Sequence, residues 1–95
     1  MALFDHLKSQ KTCKIWLDYN YPLTVIRDRY DGCYSGALYT AWPIDYYEVP
    51  RQVDGSDPGC ATFWDDADTN FIGLGYDVQT AVNNLIEKMK KNLKP

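Results

Sequence analysis

Metal-ligand spacing is missing from this chain: Cys13, Cys33 and Cys60 stand far apart, no C-x-x-C pair occurs, and His6 is the only histidine. That pattern speaks against zinc. An odd cysteine count at wide spacing also speaks against a disulfide framework, and for free thiols in a reducing cytoplasm. No apolar run approaches the length of a membrane span, and no N-terminal run resembles a secretion leader. The expectation is a cytoplasmic protein that keeps off membranes. Internal repeats, heptads and low-complexity tracts are lacking as well.

Catalytic constellations are equally scarce. Cys60 follows Pro58-Gly59, where a helix start would lower its thiol pKa, but His6 is its only imidazole candidate and nothing in the sequence joins the two. Gly73-x-Gly75 lacks the third glycine of a dinucleotide fingerprint, because Val78 stands there. Asp65, Asp66 and Asp68 do not have the Asp/Asn-Gly-Glu spacing of a calcium loop. The reading is a protein that is not an enzyme and uses neither cofactor nor metal.

What the chain does have begins with charge. Residues 1–40 carry net +1, residues 41–70 net −6 and residues 71–95 net +2. The middle third holds Asp45, Glu48, Asp54, Asp57, Asp65, Asp66 and Asp68 against Arg51 alone. Such a segment repels a phosphate backbone, so nucleic acid is not an expected partner, whereas a basic protein surface would be steered to it. A hydrophobic content of 45% over 95 residues supports one packed domain, residues 1–95.

Periodicity then orders the elements. Residues 71–74 form a short apolar run that reads as a buried strand, Gly75-Tyr76 turn the chain, and Asp77 stands as an N-cap. Val78, Ala81, Val82, Leu85, Ile86, Met89 and Leu93 follow at helical spacing, which predicts a long helix within residues 71–94 that needs a sheet to lie on. Residues 2–10 predict a short amphipathic helix, and residues 13–19 read as either a strand or its continuation. Residues 23–29 and 35–43 predict a hairpin around Tyr30-Asp31-Gly32-Cys33, with Ala37, Tyr39 and Ala41 on one face and Leu38, Thr40 and Trp42 on the other. Residues 44–70 read as a long loop with a helical turn over 60–68 docking Phe63 and Trp64. The predicted class is α+β: a three-stranded antiparallel sheet against a long C-terminal helix, with a short N-terminal helix.

Eight tyrosines and three tryptophans exceed what one sheet face can bury under one helix. Tyr30, Tyr34, Tyr39, Trp42, Tyr46, Tyr47 and Trp64, together with Arg27, Arg29 and the carboxylates Asp65, Asp66 and Asp68, are the candidate binding residues. Half-buried tyrosine and tryptophan dominate binding hot spots.

Asp57-Pro58-Gly59-Cys60 is similar to the D-L-P-G-C turn of HicB-like antitoxins, and Gly75-Tyr76-Asp77-Val78-Gln79-Thr80-Ala81-Val82-Asn83-Asn84-Leu85 to that family's G-D-T-x-E-E-A-x-x-N segment. Residues 23–29, Asp31-Gly32 and the return strand match its first hairpin, so the resemblance spans about two thirds of the chain. It implies a half-sized RNase H-like domain that binds another protein, often as a homo-oligomer. The family's early glutamate pair is Gln79-Thr80 here, and the chain ends at Pro95 without the family's DNA-binding extension, so autorepression is not expected. Residues 24–43 also resemble short proteins of phages and mobile elements. A double-stranded-RNA-binding domain ends in a similar strand and helix, but its helix start carries lysines where Asp77, Gln79 and Thr80 stand here, which sets duplex RNA aside.

Two functions follow as expectations. The first is an inhibitor that occludes a basic partner protein, a nuclease or other effector, in the manner of an antitoxin or an anti-CRISPR-like counter-defence protein. The alternative is a sponge for a nucleotide-like signalling ligand, with rings stacking on the base and Arg27, Arg29 or Arg51 meeting phosphate.

Overall fold

The computed structural model describes residues 3–93, so Ala2 of the expected first helix and Lys94 of the last lie outside the described residues. Helix α1 (Gln10–Tyr19) is followed by strands β1 (Thr24–Arg27) and β2 (Tyr39–Trp42), helix α2 (Asp57–Asp66), strand β3 (Gly73–Gly75) and helix α3 (Val78–Asn92). The strands form an antiparallel sheet in the order β1-β2-β3, so β2 is central. The α+β class, the sheet, the long C-terminal helix and a short N-terminal helix are all present.

Register decides the two faces of the sheet. Val25, Ala41 and Gly73 lie across from one another, as do Arg27, Tyr39 and Gly75, and these two rows share the α3 face. Thr24, Ile26, Thr40, Trp42 and Leu74 point the other way. Gly73 and Gly75 matter because a side chain there has no room. A Cβ on Gly73 would fall 2.1 Å from the Ala81 carbonyl oxygen, and one on Gly75 would fall 2.4 Å from the Ala81 nitrogen. Helix α3 therefore rests on bare strand backbone, with Ala81, Leu85 and Met89 completely buried.

Polar side chains of α3 then serve the strand beneath it. Asn84 Oδ1 accepts from the Leu74 N–H at 2.9 Å, and Lys88 Nζ donates to the carbonyls of Thr69 and Ile72 at 2.9 and 2.8 Å. Backbone groups at the β3 edge thus find partners that no fourth strand supplies. Burial, reinforced by Lys91, pushes the Lys88 ammonium below its usual range. Asp77 caps α3 as expected, accepting from the Thr80 N–H at 2.7 Å, and that bond holds its carboxyl below the ordinary value.

At the N-terminal end, the first predicted helix is a single 3-10 turn, Asp5–Lys8, and the ambiguous residues 13–19 belong to α1. Ser9 caps α1, and Asn20 ends it in the left-handed conformation, its N–H donating to the Trp16 carbonyl. Cys13 and Trp16, three apart and so on one side of the helix, turn inward; Cys13 Sγ donates to the Met89 carbonyl at 3.4 Å, which seats α1 on α3.

The far face of the sheet departs from expectation. Residues 44–70 are no open loop: 3-10 turns at Tyr46–Glu48, Arg51–Asp54 and Thr69–Phe71 flank α2. Pro58 and Gly59, which read as breakers, sit inside α2, where a first-turn proline has no N–H bond to lose. Trp42 is fully buried and contacts the rings of Phe4, Phe63 and Trp64 at 6.3, 6.0 and 5.9 Å between centroids. The sheet is thus covered on both faces, by α3 on one and by α2 with the N-terminal turn on the other.

The glycines give a paired test by urea denaturation. Gly73→Ala should destabilise by about 3 kcal/mol or abolish folding, because backbone atoms must move. Gly59→Ala meets only the Ser56 hydroxyl at 3.7 Å and should stabilise α2 by about 0.5–1 kcal/mol.

Candidate functional site

The hairpin connection is organised by one buried carboxylate. Asp28 accepts from the Tyr30 and Gly32 N–H groups at 3.0 and 2.7 Å and from the Ser35 hydroxyl at 2.9 Å. Positive φ at Asp31 and at two glycines, Gly32 and Gly36, lets the chain wrap around it. This wrapping aims Arg29, Tyr30 and Tyr34 at the acidic segment. Arg29 donates to the Asp54 carbonyl at 2.9 Å, the Tyr30 hydroxyl to the Gly55 carbonyl, and the Tyr34 hydroxyl to the Asp57 carboxylate at 2.7 Å. The hydrogen bond to Asp57, then burial, push the Tyr34 phenol up to about 12. Arg27 is occupied too: it pairs with Asp31 at 2.9 Å and lies over the half-buried ring of Tyr39 at 5.5 Å.

Five of the sequence-predicted contact residues thus fasten the chain to itself. Two more are core. Trp42 donates its indole N–H to the Thr40 hydroxyl at 2.8 Å. Trp64, 8% exposed, packs against Trp42 and Phe63 and leaves its buried Nε1 without a hydrogen-bond acceptor among the described residues. Their expected place at a binding surface is corrected by α2, which brings Phe63 and Trp64 down onto Trp42.

What remains outside is a set of exposed tyrosines, only some of which the sequence singles out. Tyr46 and Tyr47, two of the candidates, are 72% and 82% exposed; Tyr19, Tyr21 and Tyr76, at 76%, 73% and 81%, were not among the candidates. The Thr24 hydroxyl donates to the Ile44 carbonyl at 2.8 Å, tying the start of β1 beside the exit of β2. The charge of Asp45 and its hydrogen bond to the Tyr47 hydroxyl hold the Tyr47 phenol above its usual value. Beside them a cleft of about 440 Å³ opens between Ile26 and the segment carrying Tyr46, Tyr47 and Arg51. The pattern Tyr19-x-Tyr21 was visible, but its outward direction depended on whether residues 13–19 were helix or strand.

Asp65, Asp66 and Asp68 are exposed at the C-terminal end of α2. Asp68 Oδ1 accepts from the Asn70 N–H at 3.1 Å, capping the last 3-10 turn. Among the described residues, Asp65 and Asp66 make neither hydrogen bond nor ion pair. No group of three or more His, Cys, Asp or Glu side chains among the described residues is placed to hold a metal ion. Nor is any described helix long and apolar enough to cross a membrane.

Cys60 points inward, donating weakly to the Val53 carbonyl at 3.5 Å, and burial followed by the Asp28 charge pushes its thiol up. An activated thiolate is the opposite case. Comparison with known proteins found no matching family model, no matching curated protein and no matching solved structure.

Thiol accessibility checks this arrangement. Cys33 is exposed while Cys13 and Cys60 are buried. Ellman titration of the native protein should give one fast equivalent, and all three only in denaturant. A second fast thiol would show that α1 or α2 does not pack as described.

Proposed function

We propose that this chain is a non-enzymatic binding protein that inhibits a partner protein by occlusion, in the manner of an antitoxin or a phage counter-defence inhibitor, and that its contact surface is the tyrosine end. The observation that carries this reading is the exposure of Tyr19, Tyr21, Tyr46 and Tyr47, each above 70%; Tyr76 is as exposed but stands apart in the chain, before α3, while Tyr30, Tyr34, Tyr39, Trp42 and Trp64 are half-buried or buried. Exposed rings cost hydration free energy and gain nothing for the monomer; against a partner they supply large contact area at little entropic cost. Asp18, Asp45 and Glu48 lie next to these rings in the chain, and the net charge of −6 over residues 41–70 suits a basic partner such as a nuclease. The HicB-like resemblance supports the same class of function through its short motifs.

The nucleotide-sponge alternative draws less support. It needs guanidiniums for phosphate, and Arg27 and Arg29 are committed to Asp31 and to the carbonyls of Asp54 and Gly55. Arg51 is the arginine left over. Saturating nucleotides, linear and cyclic, should therefore leave the Tm unchanged; a rise would favour the sponge.

The partner is sought by affinity capture from the native host, with wild-type protein as bait beside a folded Tyr46→Ala/Tyr47→Ala variant. Against the purified partner the double variant should weaken binding by about 30-fold or more. Asp65→Ala/Asp66→Ala/Asp68→Ala should act mainly by slowing association, an effect that added salt reproduces in the wild type. Equal capture and equal Kd for wild type and the tyrosine variant would sink the proposal.

A further inference from the structure

A second concavity, of about 730 Å³, lies between the N-terminal turn and α2. Its floor is apolar: Leu3, Phe4, Phe63 and Ile72 line it, and Phe63 stays half-buried although its ring meets Trp42 and Trp64. Two polar groups on its wall are already answered within the chain. Lys8 pairs with Asp5 at 3.4 Å, and the Thr62 hydroxyl donates to the Pro58 carbonyl at 2.9 Å.

At the negative end of this groove Asp68 caps the Asn70 N–H, and one carboxylate is left over. Asp66 and Asp68 line it, and Asp66 has no partner among the described residues. Asp66 is the last residue of α2, whose last turn carries no basic residue, and Asp68 follows two residues on as the cap of the next 3-10 turn. Helix carbonyls already gather partial negative charge there, so local electrostatics favours lysine or arginine over the Asp65-Asp66 pair that is present. A stability-driven sequence would not choose this. Gly59 adds an independent sign: it lines the groove, its backbone does not demand glycine, and an added Cβ would meet only Ser56 at 3.7 Å. The absent side chain helps to keep the groove wide.

We propose that this groove is a docking site for a peptide segment of a partner protein, one that inserts an apolar side chain and places an adjacent arginine or lysine against Asp66 and Asp68. Volume and lining match an apolar anchor of one or two side chains. An anionic ligand meets two carboxylates and a helix C-terminus, and a neutral apolar one leaves those charges unsatisfied. The cationic segment answers both features. This inference rests on the reading of the chain as a binder of basic proteins, but it uses residues separate from the tyrosine end.

The test is an amide-shift titration of the ¹⁵N-labelled full chain with the blocked tetrapeptide Phe-Leu-Arg-Arg, beside Phe-Leu-Glu-Glu and Ser-Ser-Arg-Arg. Saturable shifts are expected for the first peptide alone, centred on Phe63, Ala67 and Ile72. Asp66→Asn/Asp68→Asn keeps an acceptor for the Asn70 cap and should weaken binding about 10-fold at low salt. Thr62→Trp, at an exposed position on the groove wall, should block it. Tyr46→Ala/Tyr47→Ala should leave it intact, which separates failure of this site from failure of the tyrosine surface. Equal binding of the acidic peptide, absence of saturable shifts at millimolar peptide, indifference to the asparagine pair, or shifts centred on the tyrosines would each overturn the groove.

Discussion

The structure depends on how closely α3 can approach the sheet. Gly73 and Gly75 put no side chain between the helix and strand backbone, and Ala41 and Ala81 keep the contact thin on both sides. A helix that close brings Asn84 and Lys88 within reach of backbone groups around β3, which would otherwise be left at a sheet edge. A strand of three residues survives because the helix completes its hydrogen bonding. Helix α1 in turn is placed by α3, through Cys13 and Met89.

With that face closed, the opposite face decides where the aromatic surplus goes. Trp42 cannot point toward α3, since the preceding Ala41 does, and so it needs cover from elsewhere. Phe4, Phe63 and Trp64 provide it, and the segment carrying them must fold back over the sheet. Arg29, Tyr30 and Tyr34 fasten that segment to the hairpin, and Asp28 holds the hairpin loop in the shape that lets them. Basic and aromatic residues that suggested a ligand in isolation are thereby used for folding. Binding is proposed at side chains the fold leaves exposed: Tyr19, Tyr21, Tyr46 and Tyr47, and the carboxylates at and just beyond the end of α2.

Local signals were readable where one chain segment carries its own physics. The Asp77 cap and the stripe from Ala81 to Met89 announce α3, since capping and 3.6-residue periodicity need no distant partner. Alternation over residues 35–43 correctly sorted Tyr39 and Ala41 from Thr40 and Trp42. Helix α2 was under-read because Pro58 and Gly59 count as breakers in a sequence window, while in the structure proline occupies the first turn and glycine costs only a fraction of what Trp64 and Cys60 gain by burial. Residues 13–19 were ambiguous because Ile15 and Leu17 alternate as in a strand, while Cys13 and Trp16 are the pair that the core selects.

By itself, then, the sequence determined the hairpin alternation, the long helix α3 and where it begins, and that the middle of the chain is acidic. Those properties are set by neighbours a few residues apart and by composition. Tertiary structure alone decided which rings are core and which are surface, and which arginines have charge to spare. Those outcomes turn on contacts between residues far apart in the chain: Trp42 with Phe4, Tyr34 with Asp57, Arg29 with Asp54. No local pattern encodes them, because an exposed tyrosine and a clamping tyrosine differ only in what the fold brings to meet them.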